Sequence, residues 1–166
     1  MRPLLAALPV LLLAGCASLT PYQPLREGYG YSEQVIEANR LRVSFAGSSK
    51  TPRQTVENYL LYRAAEVTLA RGYDYFVMTR SFTEARSDAG AEPTVSLGFG
   101  GFNFGSHGGV GLGVGTTTGG GRGAAYTAQA DLLLLKGAKP PNDAQAYDAR
   151  EVRGSLEAQI QRRSGP

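Results

Sequence analysis

Polar and apolar residues alternate between Arg40 and Phe45, with Leu41, Val43 and Phe45 on one side and Arg40, Arg42 and Ser44 on the other. That is the period of a half-buried strand. A turn-like stretch of Gly47, Ser48, Ser49 and Lys50 follows, and then the pattern changes. Thr51 is placed to cap a helix, Pro52 suits its first turn, and Gln54 stands three residues after Thr51 as in a capping box. Gly72 ends the run, with Arg71 beside the negative helix terminus. These signals predict a helix over residues 52–71. On a helical wheel Val56, Tyr59, Leu60, Val67 and Ala70 form one apolar face, and Leu61, Tyr62, Ala65 and Leu69 form a nearly opposite one. A helix apolar on two sides is buried between two layers. One side is expected on the sheet, the other against a C-terminal helix, the N-terminal tether or a partner.

Residues 73–82, rich in aromatic and branched side chains (Tyr75, Phe76, Val77), read as a strand entered through the Gly72 turn. The pattern is lost over 83–93, a polar stretch containing Asp88 and Gly90. Residues 125–135 become apolar at nearly every position from Leu132, as a central strand does, and Pro140 and Pro141 break the run. Asp148, with Glu151 three residues on, marks the start of a last helix whose stripe is Val152, Leu156 and Ile160 and which Gly154 weakens. The order strand, helix, strand, insert, strand, helix predicts an α+β fold: a small, mostly antiparallel sheet with one long helix and a C-terminal helix. A single domain over residues 34–163 is expected, with a glycine-rich insert at 95–123 between two strands.

Composition changes this picture in one place. Thirteen of the 22 glycines fall between Gly98 and Gly123, so the excess belongs to one segment and not to the chain. Within it glycine alternates with Phe99, Phe102, Phe104, Val110, Leu112 and Val114. The segment reads as a loop or irregular hairpin joining two strands, as an apolar ribbon that docks by strand addition, or as a part buried in the domain. Phosphate-binding motifs fail there. Gly115 and Gly120 have Walker-type spacing, but Gly121 stands where the lysine belongs. Gly119, Gly121 and Ala124 meet a relaxed dinucleotide pattern, yet strand and not helix follows them. No nucleotide and no cofactor is implied. With 17 Lys and Arg against 14 Asp and Glu, the formal charge of +3 demands no nucleic-acid partner.

The start of the chain is more specific. Arg2 supplies a positive n-region, and residues 4–13 form an apolar run interrupted only by small residues and Pro9. Ten residues span about 15 Å as a helix, half of a hydrocarbon core of roughly 30 Å. This reads as a signal peptide over residues 1–15. Leu13, Ala14, Gly15 and Cys16 resemble the bacterial lipobox, in which small residues fit a peptidase groove and the thiol accepts a diacylglycerol. By resemblance to lipoprotein sorting, in which Asp after the cysteine favours the inner membrane, Ala17 points to the outer membrane. Residues 16–33 then hold the lipidated cysteine and a tether. Pro21, Pro24, Gly28 and Gly30 resist regular structure there, while Tyr22, Tyr29 and Tyr31 leave open whether the tether is free or docked. Cys16 is the only cysteine. Its acylation leaves no thiol for disulfides, metal sites or nucleophilic catalysis.

Little catalytic chemistry is on offer. His107 is the only imidazole and lies between Ser106 and Gly108, a context with nothing to hold a base in place. A metal site is not expected: one histidine excludes His-rich sites, and Glu84, Asp88 and Glu92 give too few oxygens for Ca²⁺. Arg53 and Glu57 are spaced as a helix-surface ion pair. Ser49 beside Lys50 is too weak a signal for a Ser-Lys mechanism, and no serine sits in a nucleophile elbow.

Five stretches resemble a family of small proteobacterial lipoproteins of unknown function: TPYQP (20–24), GYSE (30–33), NRLRVSFAG (39–47), YLLYRAAE (59–66) and GYDYF (72–76). The resemblance implies an envelope location and a compact domain, and it carries no assigned active site. The expectation is an outer-membrane lipoprotein, anchored by lipid on Cys16 and facing the periplasm, with a non-enzymatic domain that binds or scaffolds an envelope protein. The alternative is an envelope hydrolase acting through carboxylates.

Overall fold

The computed structural model describes residues 19–87 and 124–163. The signal peptide, the lipobox residues Leu13, Ala14, Gly15 and Cys16, the sorting residue Ala17, His107, Asp88, Glu92 and the whole glycine segment lie outside the described residues.

The strands are β1 (Gly30–Glu37), β2 (Arg40–Ala46), β3 (Tyr75–Ser87), β4 (Ala124–Leu135) and β5 (Ala146–Asp148), and the helices are α1 (Arg53–Ala70) and α2 (Ala149–Leu156). The strands form one sheet in the order β1-β2-β4-β3-β5, with every neighbouring pair antiparallel. This is the expected α+β fold. Because β2 and β3 both run antiparallel to β4, they are parallel to each other, and α1 is the crossover that a parallel pair requires. The crossover lays α1 over the face that carries Leu41, Val43 and Phe45 of β2 and Ala128, Ala130, Leu132 and Leu134 of β4, all buried. The opposite face carries Arg42, Ser44, Gln129 and Asp131.

Both apolar faces of α1 are occupied. Val56, Tyr59, Leu60 and Val67 are buried, and so are Leu61, Tyr62 and Ala65. Sheet and α2 take the two sides, with Tyr59 edge-on to Phe45 of β2 at 5.1 Å and Asn58 donating to Gln159 just beyond α2 at 2.7 Å. The C-terminus of α1 is a Schellman motif, in which Gly72 N–H donates to Leu69 O and Tyr73 N–H to Thr68 O. Its pivot is Gly72 at φ +75°.

The N-terminus of α1 departs from the sequence reading. Pro52 is the cap residue, and no side chain closes that end. The Thr51 hydroxyl is instead bonded to Thr20, and Gln54 donates to Asn58 at 2.8 Å. The capping box is displaced because a distant segment offers Thr51 a buried partner. At α2 the local signal prevails: Asp148 Oδ1 accepts from the N–H groups of Arg150 and Glu151 at 2.9 and 3.0 Å.

Of residues 20–33, read as part of a tether that is free or docked, the stretch 20–23 and the start of β1 are docked, while 24–29 form an exposed turn. Tyr22 is 7 % exposed and belongs to the core, and Gly30 already begins β1. The physical cause is aromatic packing: the Tyr22 ring lies 4.9 to 5.6 Å from those of Tyr31, Tyr59 and Tyr62. The fold therefore starts ahead of residue 34, at Thr20. Strand β3 also outruns its apolar pattern, pairing with β4 as far as Ser87 opposite Ala124. Residues 84–86 are exposed, so that ribbon needs no apolar alternation.

Candidate functional site

Tyr22 is the keystone of a polar cluster under the N-terminal segment. Its hydroxyl donates to Glu66 Oε2. The same oxygen accepts from Arg63 at 2.8 Å, and Arg63 Nε donates to Glu33 Oε1 at 2.6 Å. One guanidinium thus joins α1 to β1, and it lies 4.1 Å above the centre of the Tyr31 ring, a cation–π geometry. Burial pushes the Tyr22 phenol far above its ordinary value, and the hydrogen bond to Glu66 adds to this. Burial opposes charge on Arg63, but the bonds to Glu33 and Glu66 outweigh it and hold the guanidinium protonated.

Glu33, Arg63 and Glu66 form one wall of an open groove of about 500 Å³. Val67 and Leu69 of α1 give it an apolar floor, and Arg71 and Arg153 supply cationic groups along it. Arg153 comes from α2, which runs antiparallel to α1: Ala149 N–H bonds Asp74 O beyond the C-terminus of α1, and Glu157 and Gln159 reach back to Tyr62 and Asn58. At that return Arg162 donates to the Tyr62 hydroxyl and pairs with Glu157 at 2.8 Å. Bonds from Tyr62 and Arg162 hold the Glu157 carboxyl below its usual range.

The arrangement presents guanidinium groups and an apolar strip to a ligand. The carboxylates of Glu33 and Glu66 face one shared cation, Arg63. Among the described residues no three His, Cys, Asp or Glu side chains lie close enough to hold a metal. Glu84 is exposed near the end of β3. Ser49 is half-buried beside an exposed Lys50. Arg53 and Glu57 form the expected pair at 2.8 Å, and Glu57 also accepts from Thr83 of β3 at 2.9 Å. No described helix is long and apolar enough to cross a membrane.

The sequence reading did not single out Tyr22, Glu33, Arg63 or Glu66 as a site. Their signal lay in the stretches 20–24, 30–33 and 59–66, which are far apart in the chain and converge here. Comparison with protein-family models, with curated proteins and with solved structures gave no match.

Proposed function

We propose that the protein is a lipoprotein, anchored by lipid on Cys16 to the periplasmic side of the outer membrane, whose domain binds another envelope component without catalysing a reaction. The observation that carries the binding reading is the closure of Glu33 and Glu66 on Arg63. Both carboxylates are held on one guanidinium in one wall of the groove, while Arg71, with Arg153 close to Tyr62 and Glu157, supplies cationic groups that suit acceptor oxygens of a partner. The anchoring reading is supported by Leu13, Ala14, Gly15 and Cys16, with Ala17 favouring the outer membrane. Two or more acyl chains hold a protein stably where one does not.

Globomycin, which blocks lipoprotein signal cleavage, is expected to accumulate the precursor, and Cys16→Ser to leave the membrane fraction. Unchanged processing and fractionation would remove the anchoring claim. Crosslinking pull-downs from outer membranes with the native chain and with an Arg71→Glu/Arg153→Glu variant test the groove. The expected result is loss of specific partners in the variant. The rival reading, a hydrolase, is favoured instead if the soluble domain turns over peptidoglycan and loses that activity on Glu33→Gln or Glu66→Gln.

A further inference from the structure

The segment leading away from Cys16 reaches its first fixed point at Thr20. The Thr20 N–H donates to Thr51 Oγ1 at 2.9 Å, Thr51 Oγ1 donates to Thr20 Oγ1 at 3.1 Å, and Ser48 N–H donates to the same oxygen at 2.8 Å. Both threonines are buried, at 5 % and 2 % exposure. Two residues later Tyr22 N–H bonds Gln161 O at 2.8 Å, so the chain is held from Thr20 inward. Only four residue steps separate Cys16 from Thr20. Fully extended, they reach about 14 Å.

Thr51 stands just ahead of α1, and Ser48 follows the end of β2. Ala46, the last residue of β2, pairs with Gly30 at the start of β1 and with Thr127 near the start of β4. One end of the domain therefore holds the Thr20 latch, the first turn of α1 and the strand ends Ser87 and Ala124. Arg71, which lines the groove, caps the other end of α1, a helix length of about 27 Å away.

We propose that the end of the domain around Thr20, Lys50 and Arg53 lies against the lipid surface, so that the groove is held away from it. The inference rests on the lipidation of Cys16. Its occupant is the bilayer because the tether is too short to let that end leave it. The surface fits: Leu19 is 41 % exposed, Lys50, Arg53 and Arg86 are exposed cations there, and anionic headgroups attract such side chains. Among the described residues, Arg53 is paired with Glu57 and Glu84 is an exposed acid at that end. The latch limits how far that end of the domain can move from the bilayer. A tether free as far as residue 33 would set a far looser limit.

The experiment uses purified full-length lipoprotein in vesicles containing doxyl-labelled lipid, with a fluorophore on Lys50→Cys or, at the opposite end, on Ala138→Cys. The mass of the acylated N-terminal peptide is measured in parallel. The expected result is loss of most of the emission at position 50 and almost none at 138. Insertion of ten Gly/Ser residues after Ser18, ahead of the Thr20 bonds, should abolish the difference. Equal quenching at the two positions, or stronger quenching at 138, in protein carrying the lipid overturns the orientation while leaving the anchor intact. A peptide without lipid overturns the anchor and the orientation with it.

Discussion

The Tyr22 hydroxyl is hydrogen-bonded to Glu66 across 44 positions of sequence. The bond ties the first docked residues of the chain to the middle of the long helix, in a core where Tyr22 also meets Phe45 with ring planes 2° apart. Tyr22→Phe keeps the ring and removes the bond. It is expected to cost about 1.5 to 3 kcal/mol, as for a hydrogen bond to a charged group. Tyr22→Ala also empties the site and should cost about 3 to 5 kcal/mol. Urea unfolding of the soluble domain from Ala17 onward checks both. Equal losses for the two variants would show that the aromatic packing contributes nothing beyond the bond.

Acid sensitivity follows from carboxylates whose charge the fold stabilises. Asp131 is held below its ordinary value mainly by the hydrogen bond from Arg42, at 2.7 Å on the sheet face away from the helices. Asp74 is held down by the Gly137 N–H and then by Arg150. For a folded value lowered from about 3.9, the contribution is present above that pH and is lost as pH falls through the folded value. Thermal midpoints measured between pH 6 and pH 2 should therefore fall less steeply for Asp131→Asn than for the native domain. An unchanged acid limb would contradict the assignment.

Two glycines should respond in opposite directions to alanine. At Gly30, φ is +116°, and an added Cβ would stand 2.5 Å from Gln23 O and 2.8 Å from Pro24 O, both backbone atoms. Gly30→Ala forces β1 away from the docked segment and is expected to cost upward of about 2 kcal/mol. Gly154 lies within α2 with open space at its Cβ position. Gly154→Ala should add about 0.5 to 1 kcal/mol. Differential scanning calorimetry of the two variants reads both signs.

Ser87 and Ala124 are cross-strand partners, so a two-residue turn can join β3 to β4 directly. Among the described residues a continuous buried core already joins the sheet to both helices. Replacing 88–123 by Asn-Gly should preserve a single cooperative unfolding transition. Loss of cooperativity would place part of that segment in the core.

Elements with local signals were legible in the chain. Alternation over residues 40–45 gave β2, and the apolar run to Leu135 gave β4, the strand between β2 and β3. Gly72 marked the end of α1, and Asp148 the start of α2. Such signals act over two to four residues, and nothing elsewhere in the fold competes with them. Strand β1 was not legible, because the face it shares with Phe45, Val43 and Leu41 carries Tyr31, Glu33 and an exposed Val35, a mix of aromatic, charged and aliphatic residues. Glu33 on that face pairs with Arg63 of α1. The three-residue β5 was too short to show a period.

Thr51 and Tyr22 mark the division between sequence and structure. By itself the sequence determined the span of α1, the start of α2, the principal strands and the α+β class, since backbone hydrogen bonding and side-chain periodicity specify these locally; the stripe read through Ile160 outruns α2, which ends at Leu156. It also supplied the Cys16 motif, which is read in an extended peptide and needs no fold. Only the tertiary structure decided that Thr51 binds Thr20 and leaves the helix cap to Pro52, that Tyr22 is core, and that Glu33, Arg63 and Glu66 share one cluster. A buried polar group takes whichever partner the packing brings to it, and partners 30 to 44 residues away leave no periodic mark on the chain.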